Sequence, residues 1–190
     1  CMGCGHQVMV SRKLVEKNRP AMIAEFLEGW LDGRLTEAEV QERTAALDLE
    51  IPEPFGVTLV HLEDKDNAEI GGEWDDDLLF YAAENMAREV FQPFRPVSTC
   101  RNPAGELVLI SSGEPRAEWE AAGEQLKNLL QTHLPVDAFL TRRGGEKLGG
   151  LPASYEGAAE DLRALLETPQ LVRDAKKYIE ENFAREEFSL

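Results

Sequence analysis

The 190-residue chain has few cysteines, few basic residues and no long apolar run. Its three cysteines are too few for a disulfide framework, so we expect a reducing, cytoplasmic setting. No apolar stretch is long enough to span a bilayer or resembles the core of a signal peptide, so we expect no membrane contact. These absences exclude a disulfide-stabilised secreted domain and a membrane-spanning one.

Basic residues are scarce relative to acidic ones. The chain has 20 Lys and Arg residues against 36 Asp and Glu residues, which gives a formal net charge of -16. DNA binding requires concentrated Lys and Arg to contact phosphates, so we expect this chain not to bind DNA itself. Hydrophobic residues make up 43% of the chain, which is enough for a sizeable core. The adjacent pair Arg142 and Arg143 is interpreted as part of a solvated turn.

Residues 1–50 are predicted to form a helical segment. Apolar positions at helical spacing predict a helix from Val10 to Leu31, with a kink or a break at Pro20. Thr36 and Glu39 have the spacing of a capping box, which predicts a second helix directly after them.

The first of these helices has an apolar stripe with no obvious partner nearby in the sequence. An unpartnered stripe of this kind is typical of a self-association surface, so we predict a homodimer. Its contacts are predicted at Leu14, Phe26, Trp30 and Leu31.

Residues 51–168 have the pattern of an α+β domain. Strands are predicted at 55–63, 97–101, 106–111 and 136–141, and helices at 78–91, 118–133 and 152–166. The order βαββαβ followed by a helix is that of a ferredoxin-like fold, an antiparallel sheet with helices on one face. We therefore predict an α+β domain between an N-terminal helical segment and a C-terminal helix.

The turn "NPAGEL" at residues 102–107 lies between the two central strands of this order. It looks like the Gly-Gly-Asp/Glu-Glu-Phe turn of GGDEF-type cyclase domains, which approaches a nucleotide and supplies an acidic residue for Mg²⁺. Here Pro103 and Ala104 stand at the glycine positions, Gly105 stands at the acidic one, and only Glu106 is retained. The resemblance therefore implies a degenerate domain that is not an enzyme and has no catalytic residue, metal or cofactor.

A second acidic position of that family falls at the end of the first strand, within "VHLED". The nearest residues here are His61 and Glu63. A vestigial pocket that binds a nucleotide or another small ligand without turnover would then include His61, Glu63, Gly105 and Glu106.

The end of the chain resembles a second family. The stretch "AKKYIEENFAREEFSL" at residues 175–190 is similar to the opening helix of AraC-type DNA-binding domains, in which Ser-Leu then begins a helix-turn-helix unit. "WLDGRL" at 30–35 and "SYEGAAEDLRAL" at 154–165 resemble parts of YesN-type response regulators. Residues 169–190 would then be the first helix of a truncated DNA-binding domain.

The two resemblances together imply a function. The chain would be the regulatory and dimerising part of an AraC-type response regulator, which relays a signal from an upstream receiver or sensor to a DNA-binding domain outside this chain. The start at Cys1 likewise suggests a piece of a longer protein. The alternative is a cyclase-derived domain that senses a nucleotide or small ligand without turnover.

Two groups of residues have a composition compatible with a cation site. Cys1, Cys4 and His6 have a spacing compatible with zinc, with Cys100, His61 or His133 as a fourth ligand, or with an intermolecular disulfide. The acidic run of Glu73 and residues 75–77 is compatible with Ca²⁺, although a helix cap explains it better. We therefore predict no metal site.

Overall fold

The computed structural model describes residues 4–65, 74–167 and 170–186, and their side chains at 16–65, 74–167 and 172–182. The helices and strands follow one another in the order α1 Cys4–Leu31, α2 Glu37–Ala46, β1 Phe55–Asp64, α3 Asp76–Val90, β2 Ser98–Arg101, β3 Leu107–Ser112, α4 Arg116–His133, β4 Val136–Gly145, α5 Leu151–Glu167 and α6 Gln170–Glu186. In the described part of the chain, no helix is both long and apolar enough to cross a bilayer.

The four strands form one antiparallel sheet in the order β2-β3-β1-β4. This order, together with the chain order βαββαβ, is that of a ferredoxin-like fold, so the predicted fold class is confirmed. The central strand β1 is buried over its first six residues because it has a neighbour on each side and helices above and below. Burial declines towards its far end, at residues 61–64.

Helices cover both faces of the sheet, whereas the sequence predicted helices on one face. The α3 and α4 helices pack on one side, which we call the α3/α4 face, and the end of α1 with α5 packs on the other, the α1/α5 face. The alternation of β1 explains this arrangement. Val57 and Leu59 contact the core of the α1/α5 face, while Val60 contacts the core of the opposite one.

The apolar stripe of α1 is part of this core, which corrects the predicted dimer surface. Phe26, Trp30 and Leu31 are only 1%, 5% and 4% exposed because they pack on the sheet of their own chain. These side chains are therefore not accessible to a second copy. Leu14 lies in α1, but its side chain is outside the described residues. Pro20 lies inside α1 and does not end the helix. The divisions at residues 50 and 168 stay predictions.

The β4 strand is longer than predicted and includes both residues of the basic pair. Arg142 pairs with Glu124 across 3.1 Å, and Arg143 pairs with Asp161 of α5 across 2.8 Å, so the predicted solvated turn is wrong. The ladder reaches Gly145 because it pairs with Phe55, and a Cβ there would lie 2.4 Å from the Phe55 ring. Gly145 therefore allows close packing at the strand end.

Candidate functional site

A cavity of about 280 Å³ lies where the end of β1, the start of α3 and the β2–β3 turn meet. Its charged lining residues include Asp64, Asp76 and Arg101. Its remaining lining is provided by His61, by Ala104 and Gly105 of the turn, and by apolar residues: Val60, Leu62, Leu79, Phe80, Leu107 and Val136. The cavity therefore combines an apolar wall with charged groups of both signs.

The start of α3 is fixed by a side-chain cap. Asp75 has extended backbone, and its Oδ1 accepts a hydrogen bond of 2.7 Å from the Leu78 N–H. The acidic run is therefore the helix cap that the sequence favoured over a Ca²⁺ site, although Glu73 lies outside the described residues. This cap places the first helical residue, Asp76, at the cavity.

Arg101 is held at the end of β2 by two contacts with α3. Its Nη1 donates a hydrogen bond of 2.8 Å to Asp77 Oδ1, and its guanidinium carbon lies 4.8 Å from the centre of the Phe80 ring. The Asp77 side chain is 90% exposed, so the ion pair lies in water and is weak. An anion in the cavity could therefore compete with Asp77 for this guanidinium.

The β2–β3 turn is closed by hydrogen bonds that involve both ends. The Asn102 N–H donates to the Glu106 carbonyl at 3.0 Å, and the Glu106 N–H donates to Asn102 Oδ1 at 2.9 Å. Gly105 has a φ of +83°, a conformation that residues with a Cβ rarely adopt. Turn geometry alone therefore accounts for a glycine at this position.

Three of the four predicted pocket residues contact one another through their side chains. His61 Nδ1 lies 3.7 Å from Glu106 Oε1, and His61 Nε2 lies 3.6 Å from Glu63 Oε1. Glu106 also accepts a hydrogen bond of 2.7 Å from Asn102 Nδ2. Of the four, His61 and Gly105 line the cavity, whereas Glu63 and Glu106 do not. Ligand binding by these residues stays a prediction.

The charges of this group favour an imidazolium paired with a carboxylate. The contact with Glu106 raises the pKa of His61 above its ordinary value, against the opposing effect of burial. The contact with His61 lowers the pKa of Glu106, again against burial, and the hydrogen bond from Asn102 acts in the same direction. The His61–Glu106 pair therefore attaches the turn to β1.

The other candidate metal ligands do not come together within the described residues. No group of three or more His, Cys, Asp and Glu side chains there could hold a metal ion. Burial raises the pKa of the Cys100 thiol to about 12, so this thiol remains protonated and is a poor zinc ligand. Cys1 and the side chains of Cys4 and His6 lie outside the described residues.

Three charged residues of the cavity were not predicted as pocket residues from the sequence: Asp64, Asp76 and Arg101. The alternation of β1 could have identified Asp64, because residues 60, 62 and 64 share one side of the strand. The predicted strand ended one residue earlier, which left Asp64 out. Asp76 belongs to α3 and Arg101 to β2. The spacing of residues within a single helix or strand cannot predict that they lie near Asp64 of β1.

No protein-family model matches the sequence, and no match is found among curated proteins. Two similar solved structures contain GGDEF domains. The FimX GGDEF domain from Pseudomonas aeruginosa has 16% identity and a TM-score of 0.44, and the match covers 58% of this chain and 75% of that chain. A sensory box/GGDEF family protein from Caulobacter crescentus CB15 has 17% identity and a TM-score of 0.45, and the match covers 70% of this chain and 90% of that chain. Values this low assign neither a family nor a function to the chain.

Proposed function

We propose that the chain is a cyclase-like domain that binds a small anionic ligand of the nucleotide class and does not turn it over. One observation carries the proposal: the cavity at the end of β1 combines Arg101 with Asp64 and Asp76 beside the β2–β3 turn. Two of the four predicted pocket residues, His61 and Gly105, line this cavity, which supports the proposal.

The chemistry of the cavity supports a phosphate-bearing ligand. The planar guanidinium of Arg101 suits phosphate oxygens, and its exposed partner Asp77 is easily displaced. Asp64 and Asp76 offer hard oxygen ligands for a Mg²⁺ that arrives with the phosphates, since this ion is commonly bound by one or two carboxylates together with the phosphates themselves. The volume of about 280 Å³ suits part of a nucleotide, with the remainder in solvent.

The turn supports binding without turnover. The Glu106 carboxylate contacts Asn102 and His61 and is absent from the cavity lining, so it does not add to the carboxylates there. Pro103 at the tip of the turn has no N–H to donate to a phosphate. Both features reduce the stabilisation that the turn could give to a reacting triphosphate.

Thermal unfolding in the presence of GTP and Mg²⁺ tests the binding proposal. A ligand that binds only the folded form stabilises it by about 2.7 kcal/mol at one hundred times its Kd, so we expect a clear rise in Tm. Arg101→Gln and Asp64→Asn should reduce this rise. Arg116→Gln, which removes an exposed arginine that pairs with Glu120 within α4, should leave it unchanged. Absence of a shift in the wild type, or equal shifts in all variants, would count against binding at this cavity.

A second proposal follows from α6: this chain is the regulatory part of an AraC-type response regulator. The helix spans Gln170–Glu186, and Val172, Tyr178 and Ile179 are 43%, 70% and 52% exposed. An apolar helix side left open in this way suits packing against a following domain. Such a regulator would form a homodimer, receive its signal from a receiver or sensor, and bind DNA through that following domain. The reading frame beyond Leu190 is the test, with two helix-turn-helix units expected and a stop codon as the opposing result.

A further inference from the structure

Among the described side chains at the start of α6, Arg173 contacts the sheet. Its Nη1 lies 3.5 Å from Glu63 Oε2, and its guanidinium carbon lies 5.6 Å from the centre of the Phe139 ring. The Arg173 side chain is 21% exposed, whereas the residues at 174–181 are exposed along the helix. Arg173 therefore contributes to the docking of this helix on the sheet.

The carboxylate that binds Arg173 belongs to a series of charged contacts. Glu63 binds Arg173 through one oxygen and lies 3.6 Å from His61 Nε2 through the other. His61 Nδ1 lies 3.7 Å from Glu106, and Glu106 is fixed to the turn by the hydrogen bond from Asn102. The next residue of the turn, Gly105, lines the cavity. Three ion-pair contacts thus separate the cavity turn from α6.

We propose that this series of contacts couples the β2–β3 turn to α6, so that a ligand in the cavity changes the equilibrium between docked and released α6. The identity of that ligand rests on the proposed function. The coupling depends only on the contacts between the turn, β1 and α6. The alternation of β1 adds a second connection. Asp64 lines the cavity and its neighbour Glu63 binds Arg173, so a shift of the strand end reaches both.

The docked arrangement is incompletely satisfied, which makes it suited to switching. Arg173 Nε and Nη1 are buried and have no hydrogen-bond partner among the described residues, so the contact with Glu63 is an ion pair without hydrogen-bond geometry. Buried donors without acceptors are costly, and water would satisfy them once α6 is released. The unsatisfied donors therefore lower the stability of the docked state relative to the released one, and a change at Glu63 can alter the ratio of the two states.

Amide hydrogen exchange along α6 tests the coupling in the absence of any ligand. Arg173→Gln should accelerate exchange at residues 174–182 by about two- to fivefold, the factor that one partly exposed ion pair contributes to an equilibrium. His61→Gln and Glu106→Gln should produce a similar acceleration although neither residue contacts α6. Asp161→Asn removes a different exposed ion pair, with Arg143, and should leave α6 unchanged. Unaltered exchange in β1 residues 55–60 would establish that each variant is folded.

The double variant Glu106→Gln with Arg173→Gln separates coupling from independent effects. If the contacts act in series, the exchange of α6 in the double variant should be accelerated by the same factor as in Arg173→Gln alone. Multiplied effects, or a normal α6 in His61→Gln and Glu106→Gln, would overturn the coupling. The same exchange measurement on the wild type with saturating GTP and Mg²⁺ tests the proposed function separately from the coupling. Binding with no change in α6 exchange would overturn the coupling and leave the proposed function intact. Absence of binding would overturn the proposed function, and the coupling would then be tested by the variants alone.

Discussion

His61 Nδ1 lies 3.7 Å from Glu106 Oε1, and this contact joins the central strand to the turn beside the cavity. Because the pKa of His61 is raised and that of Glu106 is lowered, the pair stabilises the fold only while both groups are charged. Its contribution is present below the pKa of an unfolded histidine and is lost as the pH rises through the raised value. It is also lost when the pH falls through the lowered pKa of Glu106.

The first prediction follows from this window. His61→Gln should lower the free energy of unfolding by about 0.2–1 kcal/mol near pH 5.5, the range for a partly exposed ion pair, and by much less at pH 8.5. Urea unfolding at the two pH values measures the difference. His133→Gln, at an exposed position, serves as the control. A loss of the same size at both pH values would show that the charge on His61 contributes nothing.

The second prediction concerns Gly56, which lies against the indole of Trp119. A Cβ at position 56 would lie 2.4 Å from Trp119 Cε2, and the Trp119 N–H is also bound to Ser111 Oγ at 3.2 Å. The ring therefore cannot move away freely, and Gly56→Ala should lower the free energy of unfolding by about 1–3 kcal/mol. Gly149→Ala, where a Cβ meets nothing within 4 Å, should change it by less than about 0.5 kcal/mol. Equal effects at the two positions would contradict the packing described here.

The third prediction separates the core of α1 from a dimer surface. Trp30 is 5% exposed, so Trp30→Ala should lower the free energy of unfolding by about 3–5 kcal/mol through lost packing. Met22, 44% exposed on the same helix, provides the control Met22→Ala with an effect within about 0.5 kcal/mol. Chemical denaturation measures stability, and light scattering over a dilution series measures mass. A change of mass with unchanged stability in Trp30→Ala would restore the dimer interpretation.

Local patterns in the sequence predicted the elements well. Thr36 and Glu39 form the predicted capping box, with the Glu39 N–H donating to Thr36 Oγ1 and Glu39 Oε2 accepting from the Thr36 N–H, and α2 follows directly. The strand order also follows from local patterns, because few topologies join a βαββαβ order without crossing connections. Capping and alternation depend on near neighbours, so the sequence contains the information they need.

Placement across long distances could not be predicted in the same way. An apolar stripe such as that of Phe26 and Trp30 has one pattern whether it packs on its own sheet or on a second copy. The length of β4 depended on Gly145 packing against Phe55, a contact between residues far apart in the chain. The cavity likewise joins Asp64 to Arg101 from separate strands, so its charged lining became visible only in the folded chain.

Nucleotide binding without turnover can be measured by equilibrium dialysis with GTP and Mg²⁺, followed by chromatography of the nucleotide. We predict saturable binding that Arg101→Gln weakens, with all of the GTP recovered unchanged. A cyclic dinucleotide or released pyrophosphate would contradict the loss of turnover, and failure of the wild type to retain GTP would contradict nucleotide binding.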